Sequence, residues 1–234
     1  IATKEHQRVS GGRAAFAVLA PPLTVFGLLI ALWAYALISM PAMIAQQAAA
    51  QTWTPTNAAM TSTQLTRIHT EISNYGLRQQ GAALPHPLAL LRKNGLPETM
   101  LIAPGSKTSP FLARIDGTTI FDFTLLDPTT QDARITRAAA ALPQGTGTVR
   151  AGDMIFATSG VSLAIDPNLW MVICYPDPQY NPIPPPPGAM IQILLADGSV
   201  TGVPIEQLDA KRVEQNELRV KLGLNEIEPI GQVK

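Results

Sequence analysis

An uncharged stretch from Ala14 to Ala45 constrains the fold of this 234-residue chain more than any other feature. It reads AAFAVLAPPLTVFGLLIALWAYALISMPAMIA. A helix needs roughly 20 apolar residues to cross the hydrocarbon core of a bilayer, and this stretch exceeds that length. A cleaved signal peptide is the alternative, but its apolar region spans only about 7–15 residues. We therefore predict a transmembrane helix, uninterrupted from Leu23 to Met40.

The charges that flank this stretch predict its orientation. Lys4, Arg8 and Arg13 precede it, and the next basic residue is Arg67. Because basic residues collect on the cytoplasmic side of a span, the N-terminus is expected in the cytoplasm of a bacterium and the rest of the chain in the periplasm. The predicted parts are a cytoplasmic segment (1–13), a transmembrane helix in the inner membrane (14–45), a linker (46–62) and an extracytoplasmic domain (63–234).

The predicted span carries side chains suited to contacts with partners. Small residues let helices approach closely in a membrane, so four of them are expected to pack against helices of other membrane-protein subunits. These four are Ala31, Ala34, Ala36 and Ser39. Trp33 and Tyr35 fall in mid-span, which favours contact with a neighbouring protein or a pigment-like ligand. Exposure to membrane lipid is the alternative for these two aromatic residues.

The charge balance argues against polyanionic partners. Basic and acidic residues both number 17, so no net charge attracts nucleic acid or an acidic membrane surface. Only 15% of residues are charged, against roughly 25% in ordinary soluble domains. Such a low charge content is expected of a surface that is buried in a complex.

Beyond the linker, apolar spacing predicts an amphipathic helix over about residues 57–77. Leu65, Ile68, Ile72 and Tyr75 recur every three or four residues and form one stripe, and Gly76 is the predicted stop.

The remaining elements are predicted from shorter signals. PHPLALLRKNGLP predicts a short helix with Gly95 as a left-handed cap, and a helix of about ten residues is expected after Asp127. Strand-like runs are MLIAP, TIFDFTLL, DMIFAT, LWMVICYP and AMIQILLA. DPQYNPIPPPPG is expected to be a rigid extended connection, with a PxxP partner motif as the alternative.

The segment ILLADGSVTGV predicts a β-hairpin around Asp197 and Gly198. A two-residue type I′ turn requires positive φ at both central positions, which Asp-Gly accommodates. A closing helix should follow Pro204 and end at Gly223. The turn is therefore interpreted as architectural, with no substrate needed to explain Asp197.

This order of segments resembles the pseudopilin-like proteins of planctomycetes and related bacteria. The resemblance covers roughly residues 63–208 and is carried by TQLTRIHTEISNYG, PLALLRKNGLPETMLIAPGS, DMIFAT and ILLADGSV, the last similar to the family's "FADGHV". It implies an α+β fold: a single N-terminal transmembrane helix, then a domain in which a helix packs on an antiparallel sheet with a C-terminal hairpin and helix.

The chain departs from the family pattern at several positions. Pro187 stands where a His is frequent, and Ala103 stands where a Cys precedes proline. The Gly-Phe cleavage site and the Glu near the start of a mature prepilin helix are both missing. These departures argue against assembly into a pilus.

A search for catalytic motifs finds none with specific spacing. GxSxG, Walker, GxGxxG, HExxH and CxxC patterns are absent from the sequence. His6, His69 and His86 are scattered, and the single Cys174 is expected to be a buried structural thiol. Asp116 and Asp122 bracket a hairpin-like DGTTIFD and are interpreted as solvated. No catalytic residue, metal site or cofactor is predicted.

The function that fits is a non-catalytic, single-span accessory or structural subunit of a larger bacterial membrane complex, whether secretory, respiratory or photosynthetic. Its domain would brace periplasmic partners. Two alternatives are a minor pseudopilin of a type II secretion-like system and a membrane-tethered hydrolase or binding protein.

Overall fold

The computed structural model describes residues 28–35, 53–92, 95–115, 117–142, 147–158 and 166–232. The chain divides into two compact units, Ile1–Gln47 and Ala48–Lys234. In the first unit, residues 28–35 form a helix, α1, with exposed side chains. None of the helices in these ranges combines the length and the apolar character needed to cross a bilayer.

The predicted span can be compared with the structure only in part. Of the residues predicted to contact partners, α1 contains Ala31, Trp33, Ala34 and Tyr35. Ala36 and Ser39, like most of the predicted span and residues 46–52 of the linker, lie outside the described residues. The rest of the predicted linker is described, and its residues from Pro55 onward belong to a helix.

The second unit is an α+β domain, which confirms the predicted class. Its α-helices are α2 (Pro55–Arg78), α3 (Ile120–Thr124), α4 (Pro128–Ala141) and α5 (Leu208–Lys221). Its strands are β1 (Arg114–Ile115), β2 (Thr118–Thr119), β3 (Val149–Ala151), β4 (Met154–Phe156), β5 (Trp170–Cys174), β6 (Met190–Leu195) and β7 (Val200–Pro204). Short 3₁₀ helices are Pro87–Leu91, Glu98–Leu101, Ile205–Gln207 and Ile230–Gln232.

Strands β3 to β7 form one antiparallel sheet, paired in the order in which they occur along the chain. Both of its faces are apolar, because side chains alternate between faces along a strand and both sets are hydrophobic. On one face Met154, Phe156 and Leu194 join the core beneath α2. On the other, Ile155 and Ile193 join a second core. The sheet therefore has to be covered on both sides.

Helix α2 covers the first face with the predicted stripe. Leu65, Ile68 and Ile72 are buried, and Tyr75 is partly buried against the same cluster. Thr54 caps the helix by accepting a hydrogen bond from the Asn57 backbone N–H at 3.2 Å. Pro55 occupies the first turn, where its missing N–H costs nothing.

The C-terminal part of the chain covers the second face. Leu208, Ile227 and Ile230 pack there against the sheet isoleucines. Arg219 of α5 is fully buried and donates hydrogen bonds to the backbone carbonyls of Asn225 at 2.6 Å and Ala157 at 3.0 Å. Desolvation lowers the pKa of this guanidinium to about 10. The predicted end of the closing helix is confirmed, since Gly223 follows α5 with a φ of 71°.

An irregularity in β5 places two successive residues on one face. The register with β6 shifts between Trp170 and Val172, which is the signature of a β-bulge at Met171. As a result Met171 and Val172 both join the core beneath α2, while Trp170 joins the other core.

Two predicted strands are wrong, because both segments form helical turns. TIFDFTLL contributes only β2 before Thr119 caps α3, its hydroxyl accepting from the Asp122 N–H at 3.0 Å. MLIAP overlaps the end of a 3₁₀ helix that begins after Pro97. Helix α4 is longer than predicted, and strand β3 was not predicted.

Two predicted glycine roles are also wrong. Gly95 is not in the left-handed region. A Cβ there would lie 2.3 Å from the carbonyl oxygen of Leu90, so glycine is needed because the Leu90 backbone approaches closely, and not because of a special φ. Helix α2 continues past Gly76 to Arg78, and the positive φ values that end it belong to Gln80 and Gly81.

The hairpin at Asp197 and Gly198 is confirmed, but its turn type differs from the prediction. Gly198 has a φ of 87°, whereas Asp197 has no positive φ. The Gly198 N–H donates to the Leu195 carbonyl at 3.0 Å, and the Leu195 N–H donates to the Ser199 carbonyl at 2.9 Å. This is a three-residue loop with glycine in the left-handed position of a G1 bulge. The His69 ring lies against it, with Nε2 3.2 Å from the Ala196 carbonyl oxygen.

We expect Gly198→Ala to destabilise the domain more than Gly223→Ala. Both glycines have positive φ, which costs a side chain about 1–2 kcal/mol. Only at Gly198 would the new Cβ also meet the His69 ring, at 2.8 Å, while the space at Gly223 is open. Urea unfolding of the two variants measures the difference, and adding His69→Ala to Gly198→Ala should remove it. Equal losses in the two glycine variants would contradict this packing.

Candidate functional site

A pocket of about 410 Å³ opens between the N-terminal end of α2 and the sheet. Ala58 and Thr61 line it from the helix, and Cys174 and Gln192 line it from the strands. Further lining comes from Trp53, Thr54, Pro55, Asn57, Ala103, Pro104, Pro176, Gly188, Ala189 and Met190. Its volume lies in the range of small-molecule sites, about 300–1,000 Å³.

The pocket exists because the inward side chains of α2 become small toward its N-terminus. The stripe that carries Leu65 and Ile68 in the core continues at Thr61 and Ala58. These two side chains are too short to fill the space above Cys174, so the helix–sheet interface is packed at one end and open at the other.

A smaller pocket of about 120 Å³ adjoins the first and shares Trp53 and Pro176 with it. Its walls include Tyr175 and Lys107, with Pro182 and Pro184 from the proline-rich connection between β5 and β6. That connection thus lies along a wall of this pocket.

A buried carboxylate joins the loops around both pockets. Asp153 is fully buried, and its carboxylate accepts hydrogen bonds from the Ala103 N–H at 2.8 Å, the Thr108 hydroxyl at 2.6 Å and the Asp177 N–H at 2.8 Å. Ala103 lies in the wall of the larger pocket, and Asp177 lies between two prolines that line the smaller one. Burial raises the pKa of Asp153 although these hydrogen bonds act in the opposite direction.

Asn181 extends this polar network. Its amide NH₂ donates to the hydroxyls of Ser106 at 3.0 Å and Thr108 at 2.9 Å, and its carbonyl oxygen accepts from the Lys107 N–H at 2.9 Å. The loop from Ser106 to Thr108 is therefore fixed to the loop that contains Asn181. Arg150 donates to the carbonyls of Tyr175 at 2.9 Å and Ile230 at 3.2 Å and so connects this region to the C-terminal segment.

Three side chains that could act as nucleophile or base are engaged in structural contacts: Cys174, His86 and His69. Cys174 is buried, as predicted, and desolvation raises the pKa of its thiol, which disfavours the nucleophilic thiolate. His86 is buried, and its Nδ1 accepts the Leu88 N–H at 3.2 Å to begin a 3₁₀ helix. His69 packs on the hairpin described above. His6 and Asp116 lie outside the described residues, and Asp122 is exposed on α3.

Asp197, predicted to be a structural turn residue, forms its hydrogen bonds within the hairpin. Asp197 accepts hydrogen bonds from the backbone N–H of Ser199 at 2.8 Å and from its hydroxyl at 2.7 Å, and these bonds lower its pKa. In the described ranges, no group of three or more His, Cys, Asp or Glu residues has metal-binding geometry.

A second feature is an exposed apolar surface around α3, which we call the phenylalanine patch: Phe111, Leu112, Phe121 and Leu125. The rings of Phe111 and Phe121 pack against each other with centroids 4.4 Å apart and their planes tilted by 45°. Phe111 is 62% exposed and Leu125 is 69% exposed. Contiguous apolar side chains on a surface mark sites of interaction.

Comparison with known proteins finds no matching family model, no matching curated protein and no matching solved structure.

Sequence reasoning missed both the pocket and its buried carboxylate. Gly152-Asp153 between apolar runs is a recognisable hairpin signal, and the turn has Gly152 at a φ of 61°. It could have predicted β3. The depth of Asp153 could not be predicted, because its three donors come from loops distant in sequence.

We expect Asp153→Asn to lower the free energy of unfolding by about 1–3 kcal/mol. An amide can replace one carboxylate oxygen, but its NH₂ group would face an N–H or O–H donor and leave it without an acceptor. Chemical denaturation followed by near-UV circular dichroism measures the loss. Asp166→Asn is the matched control, since the Asp166 carboxylate accepts only the nearby Asn168 N–H in the described contacts, at the surface. Equal stability of the two variants would refute a structural role for the Asp153 carboxylate.

Proposed function

We propose that this chain is a non-catalytic accessory subunit of a larger bacterial membrane complex, tethered by the span predicted over residues 14–45. Its α+β domain would lie in the periplasm and brace partner proteins. The observation that carries this proposal is the phenylalanine patch.

The patch supports a partner surface because its large apolar side chains remain exposed to water in the described part of the chain. Large apolar side chains left in water lose the roughly 25 cal/mol per Å² that burial supplies. Phe111 and Leu112 stand on a loop that is anchored from below, since the Tyr180 hydroxyl donates to the Leu112 carbonyl at 2.8 Å. A fixed apolar surface is already in the arrangement that a partner would bind, so little ordering entropy opposes docking.

A non-catalytic role is supported by the contacts of the reactive side chains. Cys174, His69 and His86 contribute to packing, turns or helix starts. Asp153, the deepest carboxylate among the residues described, is held by three donors.

The larger pocket favours a second candidate, a membrane-tethered binding protein. A neutral cavity of this volume is suited to a ligand that is bound and not transformed. The minor pseudopilin alternative gains no support from the pocket or the patch.

The test is to extract the full chain from its native membrane in mild detergent and to size the particle. We expect a large assembly of fixed stoichiometry for the unaltered chain, and release of the chain by Leu125→Glu, because a carboxylate in an apolar interface loses its hydration without a partner. Leu77→Glu is the control, since Leu77 is 81% exposed on α2 outside the patch. A particle of one chain would refute the proposal, and so would extraction without detergent.

A further inference from the structure

We infer that the pocket between α2 and the sheet is a binding site for one uncharged hydrocarbon chain of a lipid. This inference adds a ligand to the domain and rests on the proposed membrane tether for the supply of that ligand.

The packing around the pocket calls for an apolar occupant. The helix stripe and the sheet beneath it form one continuous core, which is closed at Leu65 and open at Ala58. An unfilled apolar space forfeits dispersion contacts and costs stability in proportion to its volume. A hydrocarbon chain entering at Ala58 would continue the core with the same chemistry.

The absence of charged side chains in the described walls argues against a charged ligand. No Asp, Glu, Lys, Arg or His lines this pocket in the parts of the chain that are described. Thr61 is buried, and its hydroxyl donates to the Asn57 carbonyl of its own helix at 2.8 Å. The Cys174 thiol stays uncharged. A ligand with a formal charge would have to leave that charge at the mouth of the pocket.

The backbone around the pocket argues against a peptide as the occupant. Strand β6 is paired on both sides, with β5 and with β7, so it offers no open edge for strand addition. The Ala103 N–H donates to Asp153, the Gly188 N–H donates to Glu206 at 2.6 Å, and the Ala189 N–H donates to the Pro186 carbonyl at 3.0 Å. A peptide would bury its own N–H and C=O groups without these partners, which is costly. A hydrocarbon chain brings no such groups.

Trp53 provides the probe for a direct test. It lines the pocket and lies in the linker predicted to follow the membrane span, and the membrane would supply lipid as an apolar ligand. The full chain is prepared with Trp33→Phe, which leaves Trp53 and the buried Trp170, and Trp170 does not line the pocket. Bromine atoms quench tryptophan emission on contact. Two probes are used, a free fatty acid and a phosphatidylcholine in nanodiscs, each brominated along the acyl chain.

We expect saturable quenching of the emission that Trp53→Phe removes, reversed by an excess of the same lipid without bromine. Ala58→Leu should weaken binding about tenfold or more, equivalent to about 1.4 kcal/mol, because the added side chain takes the place of the ligand. Ala133→Leu on the exposed face of α4 is the matched control and should bind normally. Quenching by the fatty acid alone would identify a free acid as the source, and quenching by the phospholipid would identify the bilayer.

Three results would overturn the inference: no quenching of Trp53 by either probe, equal quenching in Ala58→Leu and the control, or quenching that the same lipid without bromine does not reverse. A pocket reserved for a partner peptide would give the first result. Failure of the tether is distinguishable, because a chain that remains soluble without detergent refutes the proposed function whatever the probes report.

Discussion

The burial of both faces of the central sheet is the constraint on which the rest of this domain depends. Met154, Ile155 and Phe156 are successive and all buried, so β4 cannot face water on either side. An antiparallel sheet of this kind is stable only between two layers. Helix α2 supplies one layer, and α5 with the C-terminal segment supplies the other. The bulge at Met171 then adjusts β5 so that each layer meets apolar side chains.

The same layering explains where the pocket and the buried carboxylate occur. Helix α2 is longer than the core it covers, and its N-terminal end carries small residues over the ends of β5 and β6. The pocket wall there is made of loops, which need their own support. Asp153 supplies it from a tight turn, because a single carboxylate can accept bonds from two backbone N–H groups and a hydroxyl at once. At this end of the domain, hydrogen bonds to Asp153 hold the loops in place where apolar packing is missing.

The sequence predicted the elements whose signals are periodic and local. The stripe of α2, the strands around Ile155, Ile173 and Ile193, and the hairpin at Gly198 follow from spacing and from one Asp-Gly pair. The prediction was wrong where a cap competes with β-propensity, as at Thr119, whose hydroxyl begins a helix in a run of strand-forming residues. The turn type at Asp197 was wrong because two-residue and three-residue loops share the Asp-Gly signal.

The site was harder to predict than the fold, for a physical reason. A pocket forms where side chains are too small to fill the space between elements. Its sequence signal is weak, because neither Ala58 nor Thr61 is unusual in a helix. Its walls combine segments more than one hundred residues apart, from Trp53 to Gln192. The phenylalanine patch also depends on tertiary structure, since Phe111 and Phe121 meet only after β1 and β2 pair.

The central claim is that the domain contacts a defined partner through the phenylalanine patch. The most direct measurement is photo-crosslinking in intact cells from an aromatic photoreactive residue at position 111, with the same residue at position 77 as the reference. We predict one discrete adduct of constant mass from position 111 and none from position 77. No adduct from position 111, or the same diffuse set of adducts from both positions, would contradict it.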